Sequence, residues 1–394
     1  MTITKQHKLT AVELFCGIGG FRIAADRLGL KTIWANDIND LACSVYRNRF
    51  GQDILHEGDI TSLSDCIPNH DILTAGFPCQ PFSSAGKKEG IRDPRGTLFQ
   101  SIVDVIEKTL PKYFVLENVK RLLSMEHGTH FATVLSALSA LDYFIEWRVL
   151  NAKDFGLAQN RERVVIVGSR TESLNGDAQD TISRLNLANV TDIASGPRGI
   201  KSLLNQPTTW KSLDKNVTKF PLWGVALRGK FFACDLDLFS SAMPPAYLKE
   251  ILEKSPSSEY DYTEKTLERL HLNETVNRYI NGVEIISNQA GGARMGYTIF
   301  GVGGVAPTLT ASTSRHYERY QIGERYRRLT PHEYARLQGF SDEHCNIVAN
   351  YDQYSLYGNA VPPPIVEWVL RQVIDERITP VNSIPTKQPE LFDA

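Results

Sequence analysis

Ala11-Val-Glu-Leu-Phe-Cys-Gly-Ile-Gly-Gly20 is the stretch that decides the fold of this chain. Ala11 to Phe15 have strand character, the glycine turn Gly17-Ile-Gly-Gly20 follows, and a helical stretch runs on through Leu28. Glycines between a strand and a helix let a ligand approach backbone N–H groups, because no side chain stands in the way. Asp37 stands twenty positions after Gly17. It closes a second predicted strand, Thr32-Ile-Trp-Ala35, where a carboxylate can accept both hydroxyls of a ribose. A dinucleotide fingerprint would need a further glycine at position 22, and Arg22 is there. The turn therefore suits a nucleoside cofactor without pyrophosphate better than a nicotinamide dinucleotide.

Outward from this unit the alternation continues. Asp71-Ile-Leu-Thr-Ala75 reads as a short buried strand. Phe99, Ile102, Val103, Ile106 and Leu110 keep helical spacing, and Tyr113-Phe-Val-Leu116 is a strand. Phe131, Val134, Leu135, Leu138 and Leu141 form another helical stripe before the strand Val164-Val-Ile-Val167. Strands alternating with helices predict a parallel sheet wrapped on both faces, an α/β fold. From Thr171 to about Pro207 the chain is polar and reads as a linker. A smaller second domain is expected up to about Tyr320, with glycine-rich runs at Gly291–Gly296 and Gly301–Gly304. Thr330 then offers an N-cap, with Pro331 at the first helical position and Glu333 placed for a capping box. A last helix follows Pro362-Pro-Pro364, and the tail after Thr379 carries no pattern of fixed structure.

Composition sets bounds only. The 394 residues suffice for two domains with separate cores, and 42% hydrophobic with 22% charged residues describe an ordinary soluble chain. No apolar run is long enough to span a bilayer, and Met1 to Lys8 lack the apolar core of a signal peptide. The six cysteines show no CxxC pair, so no metal site is expected and a reduced, cytoplasmic protein is. A net charge of −2 means that binding to a polyanion would need a local basic surface.

Four features carry chemistry. Cys79, in Gly76-Phe-Pro-Cys-Gln-Pro-Phe-Ser83, falls on the loop after a strand's carboxyl end, stiffened by Pro78 and Pro81. It reads as a nucleophile or as a buried structural thiol. Glu117, in Phe114-Val-Leu-Glu-Asn-Val119, opens onto the same crevice, where apolar surroundings would raise its pKa and let it share a proton. An ion-paired or capping glutamate is the alternative. Arg161 and Arg163 precede the strand at Val164 and would point the same way on an extended chain, toward a phosphate, a base edge or solvent. Gly86 to Gly96 is basic, polar and bounded by glycines, as a lid over an anionic substrate would be, or a surface loop.

Taken together, these blocks resemble the cytosine-5 DNA methyltransferases of bacterial restriction–modification systems. The resemblance rests on Glu13-Leu-Phe-Cys-Gly-Ile-Gly-Gly20, Gly76 to Ser83, Glu117-Asn-Val119 and Gln159 to Arg163. Arg327-Arg-Leu-Thr-Pro through Phe340 and Gly358-Asn-Ala-Val-Pro362 complete it, in the family's order. It implies a Rossmann-like S-adenosylmethionine-dependent methyltransferase sheet with a second, smaller target-recognition domain. The implied division is 1–185 for catalysis and cofactor, 186–354 for target recognition, and 355–394 as a return completing the first domain. Cys79 would add to C6 of the cytosine, Glu117 would protonate or hydrogen-bond N3, Arg163 would hold O2, and Arg161 would orient the cysteine loop or a phosphate. The cofactor pocket would comprise Phe15 on the adenine, Gly17, Gly19 and Gly20 near the methionine part, and Asp37 on the ribose. Asp59 would take the adenine amino group, with Ile38, Ile60, Pro78, Leu98, Asn359 and Ala360 completing the pocket. Ile38 departs from the aromatic residue that several relatives carry there.

The implied partner is double-stranded DNA, its cytosine flipped out by a monomeric, nucleoid-associated enzyme, with a cognate restriction endonuclease as functional partner. A tRNA-methylating branch of the same family is the nearest alternative. Its Cys-Phe-Thr signature is not found, and Cys234 is followed by Asp-Leu. A catalytically silent DNA-binding relative would require loss of the thiol, the glutamate or the glycines, and all are present. An NAD-dependent enzyme fails on Arg22.

Overall fold

A computed structural model describes residues 8–78, 98–170, 211–215, 218–234, 243–244, 246–270, 274–288, 298–311 and 318–374. Cys79, the stretch 86–96, the polar stretch 171–207 and the tail after 379 lie outside the described residues.

The chain begins β1 (Thr10–Leu14), α1 (Gly20–Arg27), β2 (Lys31–Asp37), α2 (Asp40–Phe50), β3 (Leu55–Glu57) and the single turn α3 (Ile60–Leu63). It continues through β4 (Ile72–Gly76), α4 (Leu98–Thr109), β5 (Tyr113–Val119), α5 (Thr129–Ala140), β6 (Tyr143–Asn151) and β7 (Glu162–Arg170). With β8 (Lys211–Ser212), β9 (Trp223–Leu227) and β10 (Lys230–Cys234) these strands form one sheet, ordered β3-β2-β1-β4-β5-β7-β6-β9-β10-β8. The order reverses at β1, which pairs in parallel with both β2 and β4. That switch point is where open α/β sheets bind ligands.

The sheet is parallel only from β3 to β5. β7 runs antiparallel to β5 and to β6, and β6 runs antiparallel to β9, so the wholly parallel sheet read from the sequence is corrected to a mixed one. The connection 152–161 between β6 and β7 is too short for the helical crossover that parallel neighbours require. β6 escaped the sequence reading because Glu146 and Arg148 interrupt its apolar run. Glu146 is buried there and accepts a hydrogen bond from Trp223 Nε1 at 2.9 Å. The large sheet also continues past residue 185, since β8 to β10 belong to it rather than to a separate unit.

Helices cover both faces. Phe99, Ile102 and Ile106 of α4 and Phe131, Leu135 and Leu138 of α5 bury against one side of the sheet. On the other side, Phe21 and Ala24 of α1 meet Ile365, Val366, Val369, Leu370 and Val373 of a last helix, Pro363–Ile374. Each such buried Phe, Ile, Val or Leu side chain contributes roughly 1.5–3 kcal/mol of transfer free energy, which anchors the return of the chain to its beginning.

The second part contains α6 (Glu264–Leu270), β11 (Glu274–Ile280), β12 (Val283–Asn288), β13 (Ile299–Phe300), β14 (Arg319–Ile322) and β15 (Arg325–Arg327). The five strands form a second sheet in sequence order. Three helices follow: α7 (Pro331–Gln338), α8 (Asn350–Asn359) and the last helix, α9 (Pro363–Ile374). The capping box is present, with Thr330 N–H donating to Glu333 Oε2 at 2.8 Å and Glu333 N–H to Thr330 Oγ1 at 3.2 Å. Arg327 grips the same carboxylate with two bonds of 2.7 Å in full burial. The core of this part includes Ile18, Ala42 and Val45, so it packs directly onto α2 and the glycine turn.

Candidate active site

The parallel register brings the sequence-predicted residues to one edge. Leu14 pairs with Asn36 on one side and Ala75 on the other, while Gly76 pairs with Glu117. Phe15, Asp37, Phe77 and Glu117 therefore all leave the sheet at its carboxyl edge.

At the glycine turn, Phe15 and Gly17 both adopt left-handed backbone, at φ 53° and 54°. The Gly17 N–H donates to Asp37 Oδ2 at 2.7 Å, and the Asn39 N–H donates to Oδ1 at 2.9 Å. The carboxylate thus stands rigidly at the mouth of the turn. Gly20 is required by a close approach, because a Cβ there would lie 2.1 Å from the carbonyl oxygen of Val361. Asn359 and Ala360, just before that carbonyl, are in this way brought beside the turn. Asp59 caps α3 by accepting the Thr61 N–H at 2.9 Å, which lowers the pKa of its exposed carboxyl. Ile60 is buried beneath it, and Ile38 is 65% exposed next to Asp37. An isoleucine left bare beside the Asp37 carboxylate fits a ligand that has a flat apolar face and hydroxyl groups. Leu98 is half-buried at the start of α4.

Farther along the same edge, Glu117 pairs with Val165 across the β5–β7 ladder, and Arg163 stands two residues along on the same face. Arg163 Nε lies 2.9 Å from Glu117 Oε1, with the two side chains only 11% and 12% exposed. Burial raises the Glu117 pKa, against the lowering influence of Arg163 and, at longer range, Arg161. The carboxyl lies against Gly76, where a Cβ would be 3.7 Å from Glu117 Oε2. Pro78 is exposed at the end of the described segment, immediately before Cys79.

Arg161 is placed differently from its neighbour. Its guanidinium is 1% exposed and donates to the carbonyls of Leu309, Gly358 and Ala360 at 3.2, 2.9 and 2.9 Å. It ties the large sheet to the returning segment, and no face of it is open to a phosphate. Burial lowers its pKa to about 9.

Other residues of the site had no role in the sequence reading. Asn118 Nδ2 donates to the Phe77 carbonyl at 3.0 Å and so holds the approach to the cysteine loop. Gln159, fully buried, donates to the Leu337 carbonyl at 3.0 Å and accepts the Leu309 N–H at 3.1 Å. Their positions inside the quoted blocks were a signal, but a partner far away in sequence gives each its use.

The family model of C-5 cytosine-specific DNA methylases matches residues 9–375. The chain is 30% identical over 377 residues to the type II methyltransferase M1.ScrFI of Lactococcus lactis subsp. cremoris, covering 94% of this chain and 79% of that protein. It is 30% identical over 394 residues to the type II methyltransferase M.HpaII of Haemophilus parainfluenzae, covering 94% and 90%. Among solved structures, the S. pombe Dnmt2 methyltransferase superposes with a TM-score of 0.60 at 18% identity, covering 93% of this chain and 98% of that one, a likeness of fold. Matched from its first strand to its last helix, the chain belongs to the C-5 cytosine-specific DNA methylase family.

Proposed function

We propose that this protein methylates C5 of a flipped-out cytosine within a specific sequence of double-stranded DNA, and so protects that DNA from a cognate restriction endonuclease. As a member of its family it is a DNA (cytosine-5-)-methyltransferase that uses S-adenosylmethionine. The observation that carries the finer reading is the buried Glu117–Arg163 pair, set against Gly76 at the entrance to the Cys79 loop.

C5 of cytosine is a weak nucleophile. The Cys79 thiolate adds to C6, and the displaced electron pair moves through the ring while Glu117 delivers a proton to N3. Arg163 orients the carboxyl and holds O2 of the base. When bound, S-adenosylmethionine would supply an electrophilic methyl group to C5 and leave as S-adenosylhomocysteine. Loss of the C5 proton to a base re-forms the C5–C6 double bond as the Cys79–C6 bond breaks with its electron pair on sulfur, and N3 returns its proton to Glu117. The ring atoms concerned are covered inside a duplex, so the base must leave the stack first. Phe15, Gly17, Gly19, Gly20, Asp37, Ile38, Asp59, Ile60, Pro78, Leu98, Asn359 and Ala360 form the cofactor pocket in this reading. Arg161 serves by binding the carbonyls on either side of Asn359.

Target recognition is assigned within residues 186–354, to the part that holds the sheet β11–β15, and 355–394 to completing the catalytic part. We further assign the enzyme to the cytosol, acting on DNA as a monomer. Among the described residues no helix is long and apolar enough to cross a membrane.

Bisulfite sequencing of DNA from cells that express the protein tests this reading. Cytosines methylated in one short recurring sequence are expected. Unmodified DNA would point to a silent binder, and transfer of labelled methyl groups to tRNA but not to duplex DNA would move the substrate to RNA.

A further inference from the structure

The glycine turn has a second support outside the cofactor pocket. Ile18 lies between Gly17 at φ 54° and Gly19 at φ 87°. Backbone bounded by two glycines has much conformational freedom to lose, so an outside contact is needed to hold it in one form. On one side the Gly17 N–H rests on Asp37. On the other, the carbonyl of Ile18 meets His344 Nε2 at 2.7 Å, a contact spanning most of the chain. His344 is 4% exposed.

The proton on that imidazole is settled by its other neighbour. Arg49 Nε lies 3.3 Å from His344 Nδ1, and a guanidinium can only donate. Nδ1 is therefore the acceptor, and Nε2 carries the hydrogen that goes to Ile18. Arg49 is itself held, since its Nη2 donates to Ser341 Oγ at 2.7 Å. The ring packs against Phe340 and Phe50 at centroid separations of 4.7 and 6.2 Å. Phe50 in turn fills the space where a Cβ on Gly19 would lie, 2.3 Å from its ring. Arg22 covers Phe50 at 5.3 Å. The turn is thus clamped by a rigid aromatic and polar cluster whose key member comes from the segment after α7.

We propose that His344 is a positioning residue for the cofactor turn: its Nε2–H holds the Ile18 carbonyl and thereby sets the Gly17 and Gly19 backbone against Asp37. The inference rests on the cofactor reading of residues 15–20. It assigns to a residue outside all the quoted sequence blocks a part in cofactor affinity, and none in the chemistry of the base.

Three substitutions at one position separate positioning from packing. Leu keeps the bulk and removes the donor. Asn is polar but too short to reach Ile18, whereas the Gln amide nitrogen can occupy the place of Nε2. For His344→Leu and His344→Asn, the Kd for S-adenosylmethionine, measured by calorimetry on the full chain, is expected to rise about tenfold, the usual consequence of stranding one buried carbonyl. His344→Gln is expected to stay within about threefold of the parent, since one hydrogen bond is kept. Affinity for a random-sequence duplex without cofactor, and kcat at saturating cofactor on unmethylated phage DNA, are expected to be unchanged in all three. Equal cofactor affinity in the Asn and Gln variants would overturn the proposal. So would parallel loss of DNA and cofactor binding, which marks a merely structural residue. Asp37→Ala is the control for the underlying reading. If it leaves cofactor affinity intact, the turn is not the cofactor site. If it weakens binding and His344→Leu does not, only the positioning role fails.

Discussion

Arg163 reaches Glu117 diagonally across the antiparallel β5–β7 ladder, closing a 2.9 Å contact between two nearly buried side chains. Burial and the guanidinium act on the carboxyl in opposite directions, and burial is the larger influence. The cation therefore orients the acid without fixing it in its ionised form. A group required to give a proton to a ring nitrogen and take it back needs both properties.

Glu117→Gln should lower the methyl-transfer rate by about two to four orders of magnitude, the usual worth of a general acid. DNA affinity should change far less. The protonated form is the one that works, so the parent's rate should fall as pH rises through the raised pKa, and this alkaline limb should be missing in the variant. Single-turnover transfer of labelled methyl groups across a pH series measures both. An intact rate with lost affinity would make Glu117 structural.

Removing the neighbour tests the coupling. Arg163→Met takes away the larger of the two influences that lower the Glu117 pKa. The alkaline limb should then move to higher pH while the maximal rate also drops. A limb that stays in place would mean that the contact does not govern the acid.

Cys79→Ala should abolish methyl transfer and leave S-adenosylmethionine binding near that of the parent. A duplex with 5-fluorocytosine at the target should trap the parent after methylation, because fluorine cannot leave C5 as a proton does. The adduct should survive denaturing electrophoresis, require the cofactor and vanish in the variant. A peptide map that places it on any other cysteine would refute the assignment.

Two glycines in one turn should respond differently to alanine. At Gly20 the added Cβ meets the Val361 carbonyl, backbone that cannot swing aside. Gly20→Ala should cost roughly 1–3 kcal/mol from overpacking and weaken cofactor binding as the 358–362 segment is displaced. At Gly17 nothing lies within 4 Å of a Cβ, and only the φ of 54° opposes it. Gly17→Ala should cost about 1–2 kcal/mol of backbone strain without displacing the return segment. Urea unfolding and calorimetry would distinguish the two, and identical behaviour would contradict the docking of Val361 against Gly20.

Glu13 provides a pH test of stability. It is buried under the turn, Tyr46 donates to its Oε2 at 3.2 Å, and its Oε1 has no partner. Burial pushes its pKa from 4.5 up to about 8. Between those values the folded chain binds a proton that the unfolded chain has released, so stability from this group falls as pH rises. The contribution is complete below 4.5 and lost above about 8. Glu13→Gln, neutral throughout, should flatten that part of the parent's profile of unfolding free energy against pH. An unchanged slope would show that Glu13 is ionised in the fold.

Much of the catalytic half was legible because its signals are local. Ala11 to Gly20 carries its own strand, turn and helix, and Thr330-Pro-His-Glu333 its own cap. Parallel strands place their carboxyl ends together, so Phe15, Asp37 and Glu117 could be assigned to one edge from chain order alone. The antiparallel half was not legible, since the direction of β7 depends on which neighbour it finds. β6, with two charged residues in its run, is held as a strand by its ladders to β7 and β9, and Trp223 satisfies Glu146.

By itself the sequence determined the α/β class, the cysteine and glutamate blocks, the nucleoside-type turn and the resemblance that named the chemistry. These depend on residue type and spacing within short windows, where sterics and hydrogen-bonding capacity act locally. Tertiary structure alone decided that Arg163 faces Glu117 while Arg161 is spent on the carbonyls of Leu309, Gly358 and Ala360. It alone brought Val361 against Gly20 and His344 against Ile18. A buried donor or acceptor must find a partner wherever the packed chain offers one, and no periodicity in the sequence encodes where that will be.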